Sequence, residues 1–434
     1  MSDPSRRRFL ASIGIAAVGR LFAHERSNAE YSMSHTLEQA TRKETPAARG
    51  VRVRAITAGL ALERLDDTGA VERALAMLGR ARKRFESEGY EVQTTRLTMP
   101  PVVAALDAPA RRGAIAKIAA MDAIVSAAGG VCSTGPVLVA DRADGDLAPW
   151  SAELVKATKV TSFSVVIASP GGGVHAHGCA AGAQVMHAVA NAVPDGKGSF
   201  RFAAAANIPA GTPFFPVGWH DGANNLAIGL ETADLVRLVF AGSSDVEDAR
   251  RKLSARMTTE LQAIERIGSA IAKEEKVAYG GIDPSPAPMG ARSIGAALEA
   301  LSGVPFGDSG TLRACAMVTE VLKGLDVKQC GYAGLMLPVL EDGVLAQRAT
   351  EGRYGLRDLL LFSSVCGTGL DVVPVPGDTP VETLTNVVLD VAAQSVKLRK
   401  PLSVRLYLIP GKRPGERVHV DDPLLSDSVV FRAT

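Results

Sequence analysis

From residue 51 to residue 409, short β-type runs alternate with longer stretches of helical period. That alternation limits the fold more than any other feature of the sequence. Val51-Arg-Val-Arg-Ala-Ile-Thr57 alternates apolar and polar side chains and predicts a strand. Residues 69–88, rich in Ala, Leu, Arg and Glu, predict a helix that Gly89 closes at its C-cap. Residues 90–97 predict a second strand. A strand–helix–strand unit of this kind requires a parallel pair joined by a right-handed crossover.

The pattern continues. A helical stretch at 102–120, broken near Pro109, precedes an expected strand at 122–127. Further strands are expected at 160–168, 200–206, 226–230, 278–282 and 402–409. Helices are expected at 179–192, 232–241, 245–276, 292–302, 310–324, 355–365 and 381–398. The reading is one large α/β domain over 51–434 with a mostly parallel sheet, and no fixed-period repeat.

The chain has 434 residues, is 47% hydrophobic and 22% charged, and carries a formal net charge of +2, which allows a large buried core. That near-neutral balance argues against nucleic acid as a partner, because phosphate binding needs a concentrated basic surface. Aromatic residues, at 5%, are too few for stacking platforms along single strands. Cys132, Cys179, Cys315, Cys330 and Cys366 are far apart, so neither a zinc ribbon nor a disulfide framework is readable. With five of them, one thiol stays free or pairs between chains. A homo-oligomer stays open.

Before the domain, Ser5-Arg6-Arg7-Arg8-Phe9-Leu10 fits the twin-arginine export pattern, and a weakly apolar run follows to Gly19. Residues 1–29 are therefore expected to be a signal peptide, with Ser27-Asn28-Ala29 as a cleavage region. Polar residues 30–50 read as a linker. The expected location is the periplasm or beyond, with no membrane anchor after cleavage, because the apolar run is too short to span a bilayer stably. A frayed cytoplasmic start is the alternative.

Chemistry in α/β folds gathers in loops at strand ends. Gly171-Gly-Gly-Val-His175-Ala-His177 offers an HxH pair, more simply read as a solvated turn. Asn207 to Asp221 forms a long loop rich in Pro and Gly that contains His220, suited to general acid–base work. Asp283-Pro-Ser285-Pro leaves a strand held extended, with capping as the simpler role. Glu341 and Asp342 end an apolar run, and either hold a divalent cation or begin the next helix. In Ser363-Ser-Val-Cys366-Gly367-Thr-Gly369-Leu-Asp371, a thiol beside glycines precedes a carboxylate, with Asp378 further on. The plain alternative is a small buried thiol.

Together these stretches resemble one family, the domain of unknown function 711, also called uncharacterised protein family 0210. The resemblance rests on Arg54-Ala-Ile-Thr-Ala-Gly-Leu60, Val131-Cys132-Ser133, Pro213-Phe-Phe-Pro216 with His220, and Asp283-Pro-Ser-Pro-Ala-Pro288. It also rests on Gly331-Tyr-Ala-Gly334 with Glu341-Asp342, the loop from Cys366 to Pro380, and Lys400-Pro-Leu-Ser-Val-Arg-Leu-Tyr-Leu-Ile-Pro-Gly411. The family is similar in fold to the pyruvate formate-lyase-like glycyl radical enzymes, which implies an α/β barrel of about ten strands. The radical chemistry is not carried over. The Arg-Val-Ser-Gly-aromatic signature is missing, so no glycyl radical is expected.

The functional expectation is a non-radical enzyme, a hydrolase or lyase, acting on a small polar substrate in a barrel mouth. The alternative is an exported small-molecule binding protein without catalysis. His220, Cys366 and Asp371 are the catalytic candidates. Asn207, Asp283, Ser285, Gly367 and Gly369 are candidates for substrate binding. Glu341, Asp342 and Asp378 are candidate ligands if the cofactor is a divalent metal ion.

Overall fold

The structure, a computed structural model, describes residues 45–433. The twin-arginine segment and the expected linker up to residue 44 lie outside the described residues. The first two strands are β1 (Arg52–Gly59) and β2 (Val92–Thr98), joined through α1 (Thr68–Ser87). They pair in parallel, as the strand–helix–strand reading requires, with Val53 opposite Val92 and Gly59 opposite Thr98. Helix α1 buries Val71, Ala74, Leu78, Ala81 and Phe85, a stripe at helical spacing.

The chain continues through α2 (Ala108–Ala127), β3 (Val131–Leu138), α3 (Leu147–Ala157), β4 (Thr161–Ser169), β5 (Gly173–Val174), α4 (Ala176–Ala192) and β6 (Phe202–Ala206). Next come β7 (Asn225–Glu231), α5 (Ala233–Ala241), α6 (Val246–Glu274), β8 (Ala278–Asp283), α7 (Ile294–Ser302), α8 (Thr311–Lys323), α9 (Gly343–Thr350) and α10 (Leu356–Phe362). The last large elements are β9 (Gly369–Pro376), α11 (Val381–Leu398) and β10 (Leu402–Ile409). A short pair, β11 (Arg417–Val418) and β12 (Ser428–Val429), lies beyond them.

The result is a mixed α/β domain with a ten-stranded, mostly parallel sheet in the order β8-β7-β1-β2-β3-β4-β6-β10-β9, with β5 beside β4. Five strands, β1 to β4 and β6, run parallel. At each side the direction reverses, β1 to β7 and β6 to β10 being antiparallel. The outer pairs β7–β8 and β9–β10 are again parallel. One end of the sheet is therefore the amino end of the five central strands and the carboxyl end of the four flanking ones.

Three expectations change. Residues 122–127 form the end of α2 rather than a strand. A short apolar run fits either period, and here the helix continues, with the Asp122 side chain capping the segment that leads into β4. Its carboxylate accepts from the backbone of Lys159 and Val160, both at 2.8 Å. The strand that follows, β3, contains Gly135 and Pro136, and its register with β4 shifts there, so it reads locally as a turn. The supposed loop at 363–380 carries β9. That strand lies last in the sheet order, where Pro374 and Pro376 remove no ladder bond.

The two edge strands share a partner. Ile282 N–H in β8 donates to Lys328 O at 2.8 Å, and Cys330 N–H donates back to Ile282 O at 3.0 Å. Val339 N–H then donates to Asp371 O in β9 at 3.1 Å. Segment 328–339 thus satisfies both edges, which would otherwise expose open ladders. Along β10 the faces alternate. Val404, Leu406 and Leu408 join the main core with the helices, while Ser403 and Arg405 face a cavity.

Candidate functional site

The cavity has a volume of about 490 Å³ and lies against the sheet face opposite the helices. It reaches the end of the sheet where the five central strands begin and the flanking strands finish. Loop 207–220 enters from the other end. Its Phe214, Phe215 and Pro216 line the cavity, across from Tyr332 and Met336 of the segment between the sheet edges. Room for these aromatic and thioether groups comes from Ala203 and Ala205, which alternate along β6 and pack in the same small cluster.

The polar wall is a charge network. Arg405 on β10 donates from Nε to Asp371 Oδ1 at 2.7 Å and from Nη2 to Glu341 Oε1 at 2.8 Å. Arg54 on β1 donates to the other oxygen of Glu341 at 3.2 Å and to Gln93 Oε1 at 3.1 Å. Glu231, at the end of β7, is shared by Arg292, Gln93 and the more distant Arg54. Every one of these guanidinium groups therefore has a carboxylate partner.

Arg96 differs. Its Nε donates to Thr94 Oγ1 at 3.0 Å and its Nη1 to Pro213 O at 3.2 Å, and its guanidinium lies 5.1 Å from the Phe215 ring centroid. None of these partners is a carboxylate. The residue is only 8% exposed and lines the cavity. Burial, followed by repulsion from Arg54, pulls its pKa down to about 9, so it remains cationic at neutral pH.

The two carboxylates on Arg405 are driven apart. Burial pushes Asp371 up, and the attraction of Arg405 does not bring it back because the Glu341 charge adds to the rise. Burial opposes ionisation of Glu341 too, but Arg405 and then Arg54 outweigh it and hold its pKa below the ordinary value. Arg405 itself is penalised by burial, yet Asp371 and Glu341 raise its pKa. One guanidinium thus holds an acid whose pKa is raised by burial beside one whose pKa is lowered by the cations around it.

Of the three catalytic candidates, only Asp371 lines this cavity. His220 is buried at the carboxyl end of β1, with its ring against Gly59, where a Cβ would lie 2.2 Å from Nδ1. Its Nε2 donates to the carbonyls of Gly222 and Ala223 at 3.2 and 3.0 Å. Burial lowers its pKa in spite of those two bonds. Cys366 is fully buried after α10. Gly369 N–H donates to its sulfur at 3.3 Å, and the Lys400 ammonium donates to its carbonyl at 2.5 Å.

The other candidates hold backbone in place. Asp283 accepts from Tyr332 N–H at 2.8 Å, Ala333 N–H at 3.2 Å, and Ser285 Oγ at 2.6 Å. Ser285 Oγ accepts in turn from Gly334 N–H at 3.1 Å. These two residues shape the segment that carries Tyr332 and Met336. Gly367 lies so close to Gly334 that a Cβ would sit 2.5 Å from its Cα, and Gly369 (φ +90°) would clash with Ser403 O. Asn207 donates to Ser395 Oγ at 2.8 Å.

Asp342 is fully buried as the N-cap of α9, and Asp378 is exposed. Glu341 is committed to two guanidinium groups, so the three expected metal ligands do not face one point. Among the described residues, no group of three or more His, Cys, Asp or Glu is placed to hold a metal ion. His175 meets Ser169 Oγ at 3.0 Å, while the backbone N–H of His177 donates to Asp141.

The sequence reading missed Arg54, Arg96 and Arg405. Each lies inside a strand and not in a loop, Arg54 and Arg405 between apolar neighbours and Arg96 after Thr94 and Thr95. For Arg54 and Arg405 that pattern was the available signal, because a charge facing inward from a strand needs a polar cavity or a partner.

The sequence profile of the family described as Uncharacterised ACR (DUF711) matches residues 47–421. A UPF0210 protein of Pyrobaculum islandicum is 31% identical over 385 residues, covering 83% of each chain. One from Pyrobaculum arsenaticum is 35% identical over 230 residues, which are 50% of this chain and 51% of that relative. One from Methanocaldococcus jannaschii is 29% identical over 292 residues, or 64% of this chain and 62% of the relative. The matched region thus spans only about half the length of the Pyrobaculum arsenaticum relative.

Proposed function

The chain belongs to the family described as Uncharacterised ACR (DUF711), and on that footing we propose that it is an enzyme performing proton transfer on a small polar substrate in the Arg405 cavity, as a hydrolase or lyase. The observation that carries this reading is the pair of carboxylates on Arg405 whose pKa values move in opposite directions. Asp371 is the general acid or base. Glu341 holds Arg54 and Arg405 in position, and its charge adds to the rise of the Asp371 pKa. Arg405, already aimed at the carboxylates, also answers negative charge that develops on a substrate beside Asp371.

The test begins with turnover assays on a panel of small polar metabolites. Asp371→Asn is expected to lower turnover by about 100-fold or more, the usual scale for a lost acid–base group. It should also remove the limb of the pH profile that belongs to Asp371. A variant that keeps both turnover and that limb would sink the assignment. The uncommitted guanidinium of Arg96 favours a second reading, binding of a small molecule without catalysis, in which no substrate on the panel is converted.

Export by the twin-arginine pathway to the periplasm is part of the same proposal, supported by Arg6-Arg7-Arg8-Phe9-Leu10. Replacing Arg6 and Arg7 together with Lys should leave the protein in the cytoplasmic fraction. An unchanged distribution counts against export.

A further inference from the structure

Among the charges facing the cavity, Arg54, Arg292 and Arg405 meet Glu231, Glu341 and Asp371. Of the five arginines on the wall, Arg96 and Arg201 have no carboxylate partner. The Arg96 Nη2 makes no hydrogen bond to any described residue, although the side chain is more than nine-tenths buried. Glu341 attracts Arg96 from a distance, but no carboxylate contacts it, and a buried cation without a contacting counter-charge is expensive to maintain, a penalty that a bound anion removes. Arg201 adds positive potential on the same wall, with its guanidinium spent on the backbone carbonyls of Thr158 and Val155 and on no carboxylate.

The rest of the lining narrows the anion. Phe214, Phe215, Met336 and Ala287 make one side apolar, so the ligand carries a hydrocarbon body. A phosphate ester would bring nearly two negative charges and three acceptor oxygens at neutral pH, whereas Arg96 presents one free guanidinium edge and Arg201 is already bound to backbone carbonyls. A carboxylate brings one charge and two acceptor oxygens, which suits a single guanidinium edge.

We infer that the cavity takes a small carboxylic acid with a short apolar body, its carboxylate held by Arg96 and its reacting end directed at Asp371. The inference rests on the cavity being the reactive site, and supplies the class of molecule that occupies it.

The experiment measures binding by calorimetry and by thermal shift to the full chain. The probes are propionate, lactate and benzoate, each against its amide, with inorganic phosphate as a further probe. At least one carboxylate should bind about tenfold or more tightly than its amide, the scale of one charge-assisted hydrogen bond. Arg96→Gln should remove that preference, and Arg96→Lys should keep part of it. The wild-type comparison stands even if Arg96→Gln fails to fold.

No preference for carboxylate over amide across the panel overturns the inference. Stronger binding of phosphate than of any carboxylate also overturns it, as does an unchanged preference in Arg96→Gln. Asp371→Asn separates this from the proposed reaction. It should keep the preference for carboxylate over amide, since Asp371 does not touch Arg96, while losing turnover. Retained turnover in that variant breaks the catalytic reading and leaves the anion site intact.

Discussion

Glu341 and Asp342 are neighbours in sequence and opposites in role. Asp342 is fully buried, and the Glu341 side chain is 12% exposed. Glu341 faces the cavity and is satisfied by two guanidinium groups. Asp342 faces the core and is satisfied by neutral donors. Its oxygens accept from Ser293 Oγ at 2.5 Å, Ile294 N–H at 2.7 Å, Gly295 N–H at 3.2 Å, and the N–H groups of Val344 and Leu345 at 3.0 Å. It therefore caps α7 and α9 at once. The partners decide the difference. Fixed dipoles outside water give a carboxylate an architectural role, whereas mobile charge beside a cavity makes its ionisation responsive to a ligand. Burial raises the pKa of Asp342 despite all five bonds, while the cations beside Glu341 reverse the same burial effect.

The strongest way to break this contrast is Asp342→Ala. It strips two helix N-termini of their acceptor and leaves buried N–H groups without partners. We expect a loss of about 3–4 kcal/mol in urea denaturation. Carboxylate binding by the fraction that still folds should be unchanged. A loss below about 1 kcal/mol would mean that water or other acceptors replace Asp342, and the architectural role would fail.

Glu341→Gln sharpens the same contrast with a smaller effect. It should cost about 1–2 kcal/mol, less than an abandoned buried charge usually does, because Arg405 keeps Asp371 and Arg54 keeps Glu231. The pH dependence has a defined sign. The folded pKa of Glu341 is depressed, so its stabilisation is present above the ordinary glutamate value and is lost as pH falls through the folded one. The gap between wild type and Glu341→Gln should therefore close in acid. The Glu341 charge also raises Asp371, so the Asp371 limb of any turnover profile should move to lower pH in the variant. A gap that does not vary with pH, or a limb that moves upward, would break the pairing.

Much of the fold was legible because burial imposes period. Helices such as Val246–Glu274 bury a stripe at helical spacing, and strands such as Thr161–Ser169 are buried along almost their whole length as β-branched runs, and both patterns are visible in the sequence. The failures came where tertiary placement overrode local signal. Val131–Leu138 tolerates Gly135 and Pro136 because its register shifts there, and Gly369–Pro376 tolerates two prolines because it is an edge. The site was legible only at Asp371 and Glu341. A search at the carboxyl ends of strands favours His220 and Asn207. The cavity opens instead where the central strands begin, because the flanking strands run the opposite way. Arg405 shows the inward charge only as a cation between apolar strand neighbours, and Arg96, after two threonines, lacks even that signal until the sheet's inner face is known.

His220 gives the smallest and cleanest comparison, between the cavity and the opposite end of β1. Nε2 meets only carbonyl oxygens, so it must carry the proton, and Nδ1 has no hydrogen-bond partner. Protonating Nδ1 would bury a charge without an acceptor, which agrees with the lowered pKa. The folded protein therefore favours neutral His220. The associated stability is present above the ordinary histidine value near about 6.5 and is lost as pH falls through the folded pKa. His220→Gln keeps a donor for Gly222 and Ala223, so at neutral pH it should change stability by about 1 kcal/mol or less. Below that pH, wild type should lose stability faster than the variant. Turnover and carboxylate binding should both survive the change. If either falls by about tenfold or more with stability intact, loop 207–220 is carrying His220's influence into the cavity through Phe214 and Phe215, and the two ends of the sheet are not independent.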